Sequence, residues 1–328
     1  MSERLISVAL PVRNGADFIA DALESLMSQS MTDFAIYISD NASDDGTEEI
    51  IADFSAQDSR IKVSRSPQLI SQVANMNRAL ALADTPWVRM LCHDDTLRSD
   101  CMAQSAAAVR LVAGSKVGLI GNGERHLFAN GYLTPAKNDG ALQVIAGTDV
   151  VAANIFGRGE PSILPSVTTA TVYRPAFESI GRFDPRFAHF DIFAWLRLLM
   201  NWDYAWLPSQ LTVNRIHSRQ VASDARAALR SVFDYKAFVA EFGATAGPVL
   251  EAGYREKLRC RFLPLGVAAT TLAVELYAGR ADRVWRAIGA LPKLWLPALV
   301  PLTLRALIRE KKRVAQLRAH VPLNLVYP

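Results

Sequence analysis

The stretch FAIYISDNASDDGTEEIIADF at residues 34–54 shows the pattern from which the fold is predicted. Residues 34–39 are apolar with aromatic and β-branched members, which favours a buried strand. Residues 40–46 are turn formers, and residues 47–54 have a helical pattern. Asp45, followed three residues later by Glu48, has the form of an N-cap with its capping partner, so we expect a helix to begin there.

The same unit of strand, polar turn and helix recurs through the first third of the chain. Predicted strands cover residues 5–10, 34–39, 61–64 and 87–92, and predicted helices cover residues 16–29, 47–54 and 72–83. Later segments add strands at 117–121, 167–173, 204–207 and 211–216 and a helix at 192–201, with residues 122–165 predicted as loops. This alternation predicts an α/β fold with a mostly parallel sheet flanked by helices.

Composition limits the class of protein. Half of the 328 residues are apolar and 21% are charged, which is typical of a folded globular chain. The net charge of +4 is too small to indicate a nucleic-acid partner. Three cysteines without a C-x-x-C pair favour a reducing compartment, and neither a signal peptide nor a long apolar span is evident, so we expect a cytoplasmic protein.

A change in composition near Ser223 predicts a domain boundary. Residues 1–223 carry the α/β pattern, and residues 224–328 are helical in pattern and rich in Ala, Leu and Arg, with prolines as helix boundaries. Between residues 281 and 318, tryptophans and leucines alternate with Lys and Arg. Such a segment either contacts an anionic membrane surface peripherally or packs on the first domain or a second subunit of a homo-oligomer.

Polar turns follow the first two predicted strands, at residues 10–15 and 39–47. The carboxyl ends of neighbouring parallel strands meet at one edge of the sheet, so these turns should form one crevice. A carboxylate such as Asp40 can accept the imide N–H of uracil or thymine. The alternative is that these Asp and Asn residues only form turns and caps.

A pair of acids, Asp94 and Asp95, ends the apolar strand at residues 87–92. Adjacent like charges repel, and a divalent cation placed between them and a diphosphate removes that cost. Oxygen ligands of this kind suit Mg²⁺ or Mn²⁺. The alternative is a solvated loop.

A third polar segment precedes a predicted helix and contains Asp184 and Asp191. We expect the helix N-terminus to hold the pKa of Asp191 low and to keep it ionised, ready to accept a proton. The alternative is that Asp191 is only an N-cap, with Asp184 as the fallback acid.

In this order and at these spacings, the three segments resemble the family 2 glycosyltransferases with the GT-A fold. The resemblance covers about residues 5–223. The segments that carry it are Pro11-Val12-Arg13-Asn14, residues 25–29, residues 39–47, residues 74–77, His93-Asp94-Asp95, and Phe190-Asp191 with residues 195–198.

The resemblance implies an inverting glycosyltransferase that moves a sugar from a UDP- or dTDP-sugar donor to a hydroxyl of a saccharide or glycolipid acceptor, in surface polysaccharide or glycolipid synthesis. It implies Mn²⁺ or Mg²⁺ as cofactor. It also implies that Asp191 is the catalytic base and that Asp95 ligates the metal, with His217 of a Tyr-Arg-x-His-like segment beside the diphosphate as a further ligand. The implied donor-binding residues are Pro11, Val12, Arg13, Asn14, Asp40, Asn41, Asn77, Asp94 and Asp95.

One departure and three rival functions bear on this interpretation. Phe190 stands where the family usually has Glu, which leaves one acid at that position. A nucleotidyltransferase would need a Gly-rich basic loop, and here the first turn has only Gly15 and Arg13. A non-catalytic protein of the same fold is a second alternative, and a dinucleotide oxidoreductase lacks its G-x-G-x-x-G after the first strand.

Overall fold

The computed structural model describes residues 4–137, 139–156, 164–187 and 189–217. Their strands are β1 (Ile6–Val12), β2 (Ile36–Asp40), β3 (Ile61–Arg65), β4 (Trp87–Met90), β5 (Thr96–Leu97), β6 (Val117–Phe128), β7 (Gln143–Ile145), β8 (Ala170–Tyr173) and β9 (Asp203–Ile216). Their helices are α1 (Ile19–Met27), α2 (Thr47–Gln57), α3 (Gln72–Leu82), α4 (Cys101–Leu111), α5 (Gly147–Phe156), α6 (Arg174–Ser179) and α7 (Phe190–Leu199), with a 3-10 turn at Val167–Thr169.

The strands form one sheet in the order β3-β2-β1-β4-β8-β6-β9-β5, with β7 paired to β9. The first four strands in that order are parallel, as the sequence predicts. Antiparallel pairs enter through β8, β5 and β7, so the whole sheet is mixed. The α/β class is confirmed, and the parallel half brings the ends of β1, β2 and β4 to one edge.

Two hydrophobic cores lie on opposite faces of the sheet. Along β1, Ile6, Val8, Leu10 and Val12 pack into the core that contains α1 and α4, whereas Ala9 packs into the core that contains α3 and α7. Because side chains alternate along a strand, a strand buried on both faces is apolar along almost its whole length, and the exception in β1, Ser7, is hydrogen-bonded to Thr85. All seven residues of β1 are buried, which fixes the position of the turn that follows it.

Tertiary pairing overturned several local predictions. Residues 122–165 were predicted as loops, but they contain most of β6, all of β7 and α5. Strand β7 exists because it pairs with β9, a contact that its three residues do not reveal. The predicted strands at 204–207 and 211–216 form the single strand β9, whose pairing with β6 shifts register beside Pro208.

The predicted cap of α2 was also wrong in detail. The N-cap is Gly46, whose φ of 92° lies in the left-handed region that favours glycine. Asp45 instead accepts the backbone N–H of Thr47 at 3.2 Å. Glu48 turns away from the cap and pairs with Arg65 at 2.7 Å.

The predicted boundary near Ser223, the helical extension at 224–328 and its membrane or subunit contacts lie outside the described residues. Among the residues that the structure does describe, no helix is long and apolar enough to span a membrane.

Arg89 on β4 is a buried cation that ties the sheet together, with 1% of its surface exposed. Its guanidinium donates to the side chain of Asn122, to the carbonyl of Thr168 at 2.9 Å and to Thr212 Oγ1 at 2.6 Å. Burial lowers the pKa of Arg89 because these partners are neutral. The guanidinium of Arg89 is thus hydrogen-bonded to β6, to β9 and to the 3-10 turn.

We therefore expect Arg89→Ala to lower the free energy of unfolding by about 3 kcal/mol, since it leaves buried acceptors unpaired and opens a cavity. Urea unfolding followed by circular dichroism measures the change. Arg110→Ala, an exposed site on α4, is the matched control and should change stability by less than about 0.5 kcal/mol. Equal effects at both positions would contradict a structural role for Arg89.

Candidate functional site

A cleft of about 680 Å³ lies at the ends of β1, β2 and β4. Eight of the residues predicted for the site line it: Pro11, Val12, Arg13, Asn14, Asn41, Asp94, Asp95 and His217. Its wall does not include the other three, Asp40, Asn77 and Asp191. The strand order explains this grouping, because β2, β1 and β4 are neighbours and the polar turns follow their carboxyl ends.

The turns after β1 and β2 are joined by hydrogen bonds. Arg13 donates to the backbone carbonyl of Ala42, the Asn14 N–H donates to Ser43 Oγ at 3.0 Å, and the Asp44 N–H donates to Asn14 Oδ1 at 3.1 Å. Asn14 and Ala42 both have positive φ, 49° and 53°. These unusual backbone conformations persist because each turn holds the other.

Gly15 is required by a close approach within the first turn. A Cβ at this position would lie 2.5 Å from His93 Cδ2 and 2.8 Å from Val12 Cγ2. The Gly15 N–H donates to Thr47 Oγ1 at 2.8 Å, so the backbone has little freedom to move away. Glycine therefore lets His93, beside the acid pair, pack on the turn after β1.

Asp40 lies behind the cleft wall and is 1% exposed. Its Oδ1 accepts the N–H and the hydroxyl of Ser43 at 3.1 and 2.5 Å, and its Oδ2 accepts from Arg65 at 2.6 Å. In this arrangement Asp40 stabilises the turn after β2. A contact with a nucleobase stays a prediction, and it requires Arg65 or its neighbours to move aside.

Asn75 and Asn77 lie on α3, and the sequence assigned donor binding to Asn77 alone. Asn77 makes two hydrogen bonds, at 2.8 and 3.0 Å, to the backbone of Phe183 and thereby fixes the segment before α7. Asn75 lines the cleft instead, and its amide donates to the carbonyls of Val12 and Ser39. The sequence offered a signal for Asn75, a polar residue on the buried face of an amphipathic helix, and it was missed.

The acid pair after β4 is the most strongly perturbed part of the cleft. Ligand atoms of Cys92, Asp94 and Asp95 lie within 4.8 Å of one another. Burial, and then the charge of Asp94, raises the pKa of Asp95 to about 8. Burial also raises the pKa of the Cys92 thiol well above its usual range, so this cysteine is neutral at pH 7.

This donor set fits a hard divalent cation. Asp94 and Asp95 offer carboxylate oxygens, which Mn²⁺ and Mg²⁺ prefer, and a cation would relieve the repulsion between the two acids. A protonated thiol such as Cys92 is a poor ligand for such ions.

His217, a predicted ligand, reaches this centre through Asp94. Its Nε2 lies 3.0 Å from Asp94 Oδ2, and its ring lies 4.8 Å from the ring of Phe18. The neighbouring Arg215 N–H donates to Asp95 Oδ1 at 2.9 Å. The end of β9 thus orients both acids, and a direct bond from His217 to a metal stays a prediction.

Asp191 lies in the first turn of α7, but His189 occupies the N-cap position. The expectation of a low pKa was wrong, because burial of the carboxyl group outweighs the helix N-terminus and raises the pKa of Asp191. Its charge also contributes to the raised pKa of Cys92. Asp191 therefore lies within electrostatic reach of the floor of the cleft.

Comparison with known proteins assigns the segment that contains these turns and acids. The family model described as glycosyl transferase family 2 matches residues 7–110. Residues 7–110 belong to that family. The chain is 32% identical over 96 residues to the putative teichuronic acid biosynthesis glycosyltransferase TuaG of Bacillus subtilis, a match covering 29% of this chain and 38% of TuaG. The chain thus spans well under half the length of TuaG.

Solved structures show a likeness in fold that extends over most of the chain. The S. aureus protein TarS, crystallised as residues 1–349 with UDP-GlcNAc, superimposes with a TM-score of 0.55 at 14% identity, covering 86% of this chain and 90% of that one. The mannosyltransferase PcManGT from Pyrobaculum calidifontis, in complex with GDP-Man and Mn²⁺, gives 0.57 at 19% identity, covering 94% and 89%. The GT-A fold that the sequence predicts is confirmed.

Asp184, the fallback acid before α7, is held in ion pairs. Hydrogen bonds from Arg186 lower the pKa of Asp184 to about 2, and Arg197 on α7 lies 3.3 Å from the same carboxylate. A group whose pKa is lowered on folding adds stability above its unfolded pKa, and that stability is lost as the pH falls through the folded pKa. Asp184 therefore stabilises the segment that precedes Asp191.

We expect Asp184→Asn to cost about 1 kcal/mol at pH 7, a value reduced for solvent screening around the exposed Arg186. The difference from wild type should shrink as the pH falls from 4 toward 2, because wild-type Asp184 becomes protonated there. Melting temperatures across this pH range measure it. Asp53→Asn, an exposed acid on α2, is the control, and a penalty that does not vary with pH would contradict the ion pairs.

Proposed function

We propose that the chain is a metal-dependent, inverting glycosyltransferase that transfers a sugar from a nucleoside-diphosphate donor to a hydroxyl acceptor. The observation that supports this function is that one cleft joins the paired turns after β1 and β2 to the acid pair after β4. The turns suit a nucleoside, and the acids suit a cation bound to a diphosphate.

Similar proteins support the substrate class. TarS has been crystallised with UDP-GlcNAc and with UDP, and PcManGT with GDP-Man and Mn²⁺. TuaG is named for teichuronic acid biosynthesis. We propose a UDP- or dTDP-sugar donor and a saccharide or glycolipid acceptor, in the synthesis of a surface polysaccharide.

In the proposed mechanism, this chain's residues position the donor and remove one proton. The turns after β1 and β2 hold the nucleoside, so the diphosphate lies over Asp94 and Asp95. These two residues would hold Mn²⁺ or Mg²⁺, which when bound supplies Lewis-acid stabilisation of the leaving diphosphate. Arg215 and His217 keep the two carboxylates oriented.

The acceptor hydroxyl attacks the anomeric carbon from the face opposite the diphosphate. A carbon–oxygen bond forms to the acceptor while the bond to the phosphate oxygen breaks, which inverts the configuration. Asp191 takes the hydroxyl proton. Its raised pKa suits this role, because a carboxylate that binds a proton more firmly is a stronger base.

Asp95→Asn should abolish the metal dependence of nucleotide binding, because it removes the buried carboxylate of the acid pair. Calorimetry of UDP and dTDP, with and without Mn²⁺, measures this. The matched control Asp53→Asn should bind as wild type does. Nucleotide affinity that Mn²⁺ still enhances in the Asp95 variant would place the metal elsewhere, and no nucleotide binding by wild type would overturn the proposed function.

Asp191→Asn should bind the nucleotide within about twofold of wild type yet transfer sugar to the acceptor at least about a hundredfold more slowly. The reason is that a base acting on the acceptor contributes mainly in the transition state. A thermal-shift panel of nucleotide sugars first identifies the donor. Turnover close to wild type would leave Asp191 with a structural role at the start of α7.

A further inference from the structure

Part of the cleft wall carries polar side chains that the proposed mechanism does not use. These are His126 on β6 and Ser166. Glu124, two residues before His126, points to the same side of the strand and lies behind these two lining residues, bonded to Ser166. We call Glu124, His126 and Ser166 the polar end of the cleft.

The contacts within the polar end leave hydrogen-bonding capacity open. Ser166 Oγ donates to Glu124 Oε2 at 3.2 Å, and His126 Nε2 lies 3.8 Å from Glu124 Oε1, too far for a good hydrogen bond. His126 Nδ1 is buried and has no hydrogen-bond partner among the described residues. Buried ring nitrogens are normally paired, so the neighbours of His126 leave part of its hydrogen-bonding capacity unused.

Strand β6, which carries Glu124 and His126, is held in place by hydrogen bonds to neighbouring segments. The His126 N–H donates to Thr134 Oγ1 at 2.9 Å, and the Thr134 N–H returns a bond to the His126 carbonyl at 3.0 Å. Gln210 on β9 donates its amide to the Glu124 carbonyl at 2.8 Å. Side chains mounted on paired strands are positioned more accurately than those on loops, which suits a binding site.

The location of the polar end relative to the acids determines what can reach it. Thr168, beside Ser166, accepts the Cys92 N–H at 3.3 Å and also bonds to Asp95. The negative charge of Glu124 contributes to the raised pKa of Asp95, so the two groups lie within electrostatic reach. A donor with its nucleoside on the turns and its diphosphate on the acids would direct its sugar toward the polar end.

We propose that Glu124, His126 and Ser166 form the subsite that binds hydroxyl groups of a saccharide acceptor, an inference that rests on the proposed function. A carboxylate accepts hydroxyl hydrogens, and a neutral imidazole offers one donor and one acceptor. Val167 and Ile216 on the same wall offer apolar surface for the C–H face of a sugar ring. The subsite therefore selects a polyhydroxylated acceptor.

The test uses the full-length chain saturated with UDP or dTDP and Mn²⁺. Saturation-transfer NMR measures binding of the methyl glycosides of glucose, galactose, mannose and N-acetylglucosamine, and calorimetry measures nucleotide affinity. The variants are Glu124→Gln and His126→Phe, which keep the shape of the side chain and remove charge or ring nitrogens. Glu49→Gln, an exposed site on α2, is the matched control.

We expect both cleft variants to bind the preferred glycoside at least about tenfold more weakly, with nucleotide affinity within twofold of wild type and the control unchanged. Unchanged glycoside binding in both variants would overturn the inference, as would a parallel loss of nucleotide affinity, which would assign these residues to the donor. If wild type binds nucleotide but none of the glycosides, the subsite fails while the proposed function stands. If wild type binds neither nucleotide, both fail.

Discussion

Two carboxyl groups close together at the end of β4, one of them 3% exposed, are the constraint on which the rest of the cleft depends. Burial and mutual repulsion raise the pKa of Asp95, so the pair is costly in the absence of a counter-charge. The fold offsets part of that cost with fixed hydrogen-bonding partners, the Arg215 N–H on Asp95 and the His217 ring beside Asp94. Ligand atoms held in place in this way lower the ordering cost of the cation site that we propose.

Strand β9 makes that arrangement possible. It runs beside β6 for most of its length, pairs with β5 and β7 on its other side, and ends at Ile216, just before His217. Residues more than 100 positions apart in sequence therefore meet at the acids. Arg89 also stabilises this region, since its guanidinium is hydrogen-bonded to β6, to β9 and to the 3-10 turn that carries Thr168.

Three chemical environments meet at the cleft. They are the hydrogen-bonded turns after β1 and β2, the acids after β4, and the polar end with Ser166 and His126 on β6. Each environment is built on a different part of the sheet, which explains why family 2 membership of residues 7–110 covers the turns and acids but not β6. The proposed acceptor subsite is thus separate in sequence from the proposed nucleotide-binding turns.

The sequence by itself determined the order of strands and helices through α3 and the placement of polar turns and paired acids at strand ends. Those features depend on local periodicity and turn chemistry. Only the tertiary structure decided that Asn75 faces the cleft while Asn77 holds Phe183, that Asp40 is saturated by Ser43 and Arg65, and that the pKa of Asp191 is raised. It also brought His126 to the cleft wall and Glu124 to within 3.8 Å of His126. These outcomes depend on which distant segments pack together, because burial and hydrogen-bond partners are properties of the assembled sheet and not of any local stretch.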